Sequence, residues 1–128
     1  MREELEICVR AKESFNEVYK KMLNLGFHIQ EDFILKDIYM VPNDISISLE
    51  FEITDHNILM SNGKNEIYIQ DVKGVGTYIE MEQNNLLLKN NNGNNIEEMK
   101  NTLNSYNLNI DDNDYFVRKA ADVLKSIL

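Results

Sequence analysis

Residues 4–10 alternate strictly: Leu5, Ile7 and Val9 take one face, and Glu4, Glu6, Cys8 and Arg10 take the other. That is the period-two signature of a half-buried strand. The period then lengthens. Phe15, Val18, Tyr19, Met22 and Leu23 recur at helical spacing, Ser14 and Glu17 form a capping box, and Gly26 ends the run. Together these predict a helix over 14–25. A strand over 33–41 follows, closed by the turn Pro42-Asn43-Asp44. Residues 45–54 alternate most cleanly, with Ile45, Ile47, Leu49, Phe51 and Ile53 opposite Ser46, Ser48, Glu50, Glu52 and Thr54.

A short strand over 57–61 and the hairpin signal Asn62-Gly63 lead into a strand over 65–72. After Gly74-Val75-Gly76, a further strand is predicted over 76–83. Residues 84–95 hold seven Asn and one Gly around Leu86-Leu87-Leu88, and read as a hairpin tip, a linker, or a segment with one last short strand over 86–89. Two helices close the chain. The first, over 95–106, carries the stripe Ile96, Met99, Leu103 and Tyr106. The second, over 114–127, turns Tyr115, Phe116, Ala120, Val123, Leu124 and Ile127 inward. Antiparallel hairpins with helices set apart from them define an α+β chain, a single domain over 1–128.

Composition narrows the function classes. The chain carries 13 basic and 22 acidic residues, a formal charge of −9. Such acidity argues against nucleic acid or an anionic membrane as the main partner, because both need clustered Lys and Arg. The single cysteine, Cys8, excludes a disulfide framework within the chain. No apolar run has the length of a membrane span, and a cytoplasmic location is the expectation.

The acidic excess falls in a pattern. Glu4 and Glu6, Glu50 and Glu52, and Glu80 and Glu82 each stand two apart on a predicted strand. Each pair therefore projects two carboxylates from one face, about 7 Å apart. The ordinary reading of such faces is contact with bulk water. If the sheet curls so that the faces meet, the enclosed carboxylates suit a hard divalent cation with oxygen ligands, Mg²⁺ or Mn²⁺.

The order of these segments resembles the CYTH superfamily, the triphosphate tunnel metalloenzymes, which include class IV adenylate cyclases, thiamine triphosphatases and inorganic triphosphatases. Glu4-Leu5-Glu6-Ile7-Cys8 stands where the family has its N-terminal Glu-x-Glu-x-Lys strand, and the helix after it ends in Leu25-Gly26-Phe27. The segment from Ile69 to Glu82, with Asp71-Val72-Lys73-Gly74 and Glu80-Met81-Glu82, is similar to the family's late motif. The ending through Asn113-Asp114-Tyr115 resembles the final helical segment. The resemblance implies an antiparallel β-barrel tunnel or a strongly curled, incomplete version of it, with flanking helices. It also implies Glu4, Glu6, Glu80 and Glu82 as metal-side carboxylates, with Asp71 as a further acidic member.

The basic half of the family tunnel is thin in this chain. Cys8 replaces the lysine of the first motif, and Ser46-Ile47-Ser48-Leu49-Glu50-Phe51-Glu52 has no basic residue where the family has an Arg pair. Arg10, Lys36 and Lys64 are the remaining candidates for phosphate binding. Phosphoryl chemistry depends on positioning and charge neutralisation. The expectation is therefore a metal-binding acidic tunnel with reduced or lost triphosphate chemistry. The alternative is an active metal-dependent triphosphatase or adenylate cyclase. A small phosphorylated ligand or a metal is the expected partner, and a homodimer through strand edges left open is a further expectation.

Other motifs carry less. Cys8 as a nucleophile is disfavoured by neighbouring Glu6, and His28 and His56 have no zinc-ligand spacing. Asp111-Asp112-Asn113-Asp114 lacks the Gly and Glu of a calcium loop and reads as the acidic N-cap of the last helix. Gly74-Val75-Gly76 reads as a bend and not as a phosphate loop.

Overall fold

The computed structural model describes residues 4–42, 48–84, 95–111 and 113–127. In chain order the elements are β1 (Glu4–Ala11), α1 (Phe15–Asn24), β2 (His28–Pro42), β3 (Ser48–Ser61), β4 (Glu66–Val72), β5 (Gly76–Asn84), α2 (Asn95–Ser105), β6 (Ile110–Asp111) and α3 (Lys119–Ile127). The six strands form one antiparallel sheet in the order β2-β3-β4-β5-β1-β6. The α+β class is as expected. Of the two forms expected for the sheet, a closed barrel or an incomplete one, the structure has an open sheet: among the described residues β2 and β6 are the two edges and the sheet does not close.

Local chemistry explains the first elements. The Ser14 hydroxyl accepts from the Glu17 N–H at 3.2 Å and caps α1, whose Val18 and Met22 are buried. Gly26, at φ +90°, reverses the chain after the helix. The reversal lets the second strand begin at His28, five residues earlier than the alternation over 33–41 suggests. The two strands expected over 45–54 and 57–61 are one strand, β3, as far as they lie in the described residues. β2 pairs with it from Pro42↔Ser48 to His28↔Ser61, with a bulge between Ile29 and Glu31, so Asp55-His56 continues a strand across the gap left between the two expected ones. Residues 45–47 and 86–89 lie outside the described residues.

Strand parity sorts the core into two faces. On one, Ile7, Val9, Ile58, Met60, Ile67, Ile69, Ile79 and Met81 pack against Val18 and Met22 of α1 and Met99 and Leu103 of α2. On the other, Cys8, Phe51, Ile53, Val72 and Tyr78 pack against Val123 of α3. Because both faces are covered, β5 is buried continuously from Thr77 to Met81.

The last helix also departs from expectation. It starts at Lys119, and the residues before it run beside β1: the Cys8 N–H donates to the Tyr115 carbonyl at 2.8 Å and the Val117 N–H donates to the Cys8 carbonyl at 3.0 Å. Asp114 is no helix cap, because its carboxylate accepts from the Phe116 N–H at 2.8 Å within this extended segment. Phe116 is exposed and not turned inward.

Candidate functional site

β1 and β5 are paired so that Glu6 lies opposite Glu82 and Cys8 opposite Glu80. Glu6, Glu80 and Glu82 therefore emerge on the same face, the one that carries α3. A carboxylate oxygen of each lies within 4.8 Å of one from each of the others. Glu80 is buried; Glu6 and Glu82 are exposed. Like charges directly across a strand pair are destabilising. At about 5 Å and an effective dielectric of about 20, each ionised pair costs about 3 kcal/mol. Something must offset that repulsion.

Part of the compensation comes from α3. The Lys119 ammonium lies 3.3 Å from the Glu80 carboxylate, donates to Gln70 Oε1 at 2.7 Å, and sits 4.0 Å from Asp55 Oδ2. Gln70 Nε2 donates to the same Glu80 oxygen at 3.1 Å, and Asn57 Nδ2 donates to Asp55 Oδ2 at 3.0 Å. Asp55, Asn57, Gln70 and Glu80 are all buried. The result is a buried polar network in which the ammonium of Lys119 lies between the carboxyl groups of Glu80 and Asp55.

The remaining imbalance falls on Glu6. Its carboxyl is pushed up to about 7, first by burial, then by the Glu80 charge and a hydrogen bond to Glu80, then by Glu82, with Lys119 opposing. Near neutrality Glu6 thus exchanges a proton readily and, when protonated, bonds to Glu80. The acidic field extends further: burial, followed by Glu82, Glu31, Glu66 and Glu80, raises the Tyr68 hydroxyl on the neighbouring strand. Cys8 lies behind the cluster, buried, its thiol pushed up to about 12 by burial and then by Glu80. It is a core side chain with no activated thiolate.

The other residues singled out by sequence go elsewhere. Glu4 belongs to β1, opposite Asn84, and its side chain lies outside the described residues. Asp71 is exposed and faces away from the cluster, because Gln70 occupies the α3 side of β4 and adjacent strand residues alternate. Glu52 likewise emerges on the opposite face from Glu80, since Phe51 and Ile53 take the α3 side. Arg10 shares the face of Glu6, but its guanidinium donates to the Val75 carbonyl at 2.7 Å and lies 5.8 Å from the centre of the Tyr78 ring. Lys36 is exposed on β2, on the face opposite the cluster, across from Thr54. Lys64 is exposed in the β3–β4 turn, its N–H held by Asn62. The structure thus brings together Glu6, Glu80 and Glu82, and leaves Asp71, Arg10, Lys36 and Lys64 away from them.

Four residues of the network were not legible as site residues. Asp55 and Asn57 continue the parity of Phe51 and Ile53, so two polar residues on an apolar stripe are the missed signal; it is visible only when 48–61 is read as one strand. Gln70 lies between Ile69 and Asp71 on an alternating strand and gives no distinctive sign. Lys119 is 39 residues from Glu80 and reaches it only through the packing of α3.

No protein-family model, curated protein or solved structure matches this chain. No helix among the described residues is long and apolar enough to cross a membrane.

Proposed function

We propose that this chain is a CYTH-like module that takes a divalent cation, Mg²⁺ or Mn²⁺, at Glu6, Glu80 and Glu82, with triphosphate chemistry reduced or lost. The observation that carries the reading is the convergence of these three carboxylates within 4.8 Å on paired strands. The donor set fits the ion: it is all oxygen, partly exposed, and made of three carboxyl groups. A cation there would displace the proton from Glu6 and relieve the cross-strand repulsion. The loss of phosphate chemistry is supported by the placement of Arg10, Lys36 and Lys64, none of which is among the groups that meet these carboxylates.

A thermal melt tests the metal. At a metal concentration about 100 times Kd, a ligand specific for the folded state adds about 2.7 kcal/mol of stability. For a chain of this size that raises Tm by several degrees. Glu80→Gln is expected to remove the rise, and the absence of any shift in the unsubstituted chain at millimolar Mg²⁺ or Mn²⁺ would sink the metal site. A panel of ATP, tripolyphosphate and thiamine triphosphate, supplied with metal, tests the chemistry. The expectation is no release of phosphate or pyrophosphate. Turnover that vanishes in Glu6→Gln would instead establish the enzyme.

A further inference from the structure

The turn that joins β3 to β4 is built around one side chain, Asn62. Its amide oxygen Oδ1 accepts from the Lys64 N–H at 2.9 Å and from the Asn65 N–H at 2.7 Å. The Asn62 N–H donates to the Asn65 carbonyl at 3.2 Å and closes the turn. Gly63, at φ +88°, takes the left-handed conformation that glycine allows, and its N–H donates to the Ser61 hydroxyl at 3.0 Å. Asn62, Gly63 and Lys64 are exposed, and a Cβ added at Gly63 would meet nothing within 4 Å. Solvent reaches the turn.

These bonds bear on a reaction the turn can perform on itself. Attack of the Gly63 nitrogen on the Asn62 side-chain carbon Cγ closes a succinimide ring. Negative charge then develops on Oδ1, the atom that two backbone N–H groups already hold. Donors at about 2.7–3.1 Å stabilise a developing oxyanion more than they stabilise the neutral carbonyl. The electrophile is thus prepared. The nucleophile is held back, because an N–H given to the Ser61 hydroxyl ionises less readily.

We propose that Asn62 is a site of spontaneous deamidation in the folded chain, and that the Ser61 hydroxyl sets its rate. A solvent base takes the Gly63 amide proton, and the nitrogen forms a bond to Asn62 Cγ. The bond from Cγ to Nδ2 breaks, and ammonia leaves with a proton taken from solvent. Water then opens the succinimide at either carbonyl, giving aspartate or isoaspartate. Both products add a carboxylate to the turn. The isoaspartate also routes the main chain through Cγ, which displaces the oxygen that holds the Lys64 and Asn65 N–H groups.

The test follows the folded chain at mildly alkaline pH by mass spectrometry of the peptide containing Asn62. The readout is the mass gained when an amide becomes an acid, with isoaspartate counted by enzymatic methylation. The chain's other Asn-Gly pair, Asn92-Gly93, serves as the internal control. Conversion at Asn62 is expected to rise several-fold in Ser61→Ala and to stay at the unsubstituted rate in Ser61→Thr, which keeps the hydroxyl. Conversion at Asn92 is expected to be the same in all three chains. Folded Ser61→Ala should also convert Asn62 faster than the same variant in urea, where the two donors are lost; circular dichroism checks that both variants fold. An Asn62 that stays intact in the unsubstituted chain, no rise in Ser61→Ala, an equal rise in Ser61→Thr, or faster conversion in urea would each overturn the proposal.

Discussion

The α3 face of the sheet holds two charged regions, one at each end of β1, and they are resolved differently. Around Arg10 each charge has a neighbour of the right kind. The guanidinium meets the Val75 carbonyl and the Tyr78 ring, and the Tyr78 hydroxyl donates to Asp122 at 2.6 Å. Burial and then that bond to Asp122 raise the Tyr78 hydroxyl well above its ordinary range, so it is held as a donor. Around Glu6, about 13 Å away along the same strand, the carboxylates of Glu6, Glu80 and Glu82 converge, and the ammonium of Lys119 meets those of Glu80 and Asp55. The first arrangement has the balance of a structural contact. The second sets like charges across a strand pair, an arrangement that costs stability.

The largest expected effect breaks the acidic end. Lys119→Met removes the cation beside two buried carboxylates. Because Lys119 is 25% exposed, the loss should fall at the low end of the range for breaking buried pairs, about 3 kcal/mol in urea unfolding. Adding Glu80→Gln to that variant should recover part of the loss, and full additivity of the two substitutions would show that they do not share one network. At the balanced end, Tyr78→Phe should cost about 1–2 kcal/mol by leaving Asp122 without its donor. It should leave any metal-induced rise in Tm untouched; a Tm response that disappears in Tyr78→Phe would erase the distinction between the two ends.

The most diagnostic effect is in pH. The Glu6 carboxyl is raised from 4.5 to about 7 in the folded chain, so the folded state binds its proton more tightly than the unfolded state does. Its contribution is complete below about 4.5 and is lost as pH rises through about 7. Stability should therefore fall across that window and level off above it, and Glu6→Gln should flatten the slope. Metal requires the ionised carboxylate, so the metal-dependent rise in Tm should weaken as pH drops through the same window. A profile identical in the chain and in Glu6→Gln would remove Glu6 from the account.

Much of this organisation is written in local periodicity. The strict alternation of 4–10, the capping box at Ser14 and Glu17, and the Asn62-Gly63 turn predict β1, α1 and the β3–β4 hairpin where the structure has them. Failures occur where a neighbour overrides a local signal. Asp55-His56 falls between two expected strands, but β2 pairs straight through it, and His56 is held by Asp32 on that strand and stacked on Phe15 of α1 at 4.9 Å. Asp114 looks like a helix cap, but β1 draws the following residues into an extended bridge. Asp71 is acidic and close in sequence to Glu80, yet strand parity sends it to the other face.

The sequence by itself determined that Glu80 and Glu82 share a face and that Glu4 and Glu6 share another stretch of strand, because a period of two is a property of the backbone alone. Tertiary structure decided that Glu6 stands across from Glu82, through the register of β1 on β5, and that Lys119, Gln70 and Asp55 close around Glu80, through the docking of α3. Tertiary structure also decided that, among the described residues, the sheet stays open at β2. Register and docking depend on buried contacts between residues far apart in the chain, and no short window of sequence contains both partners.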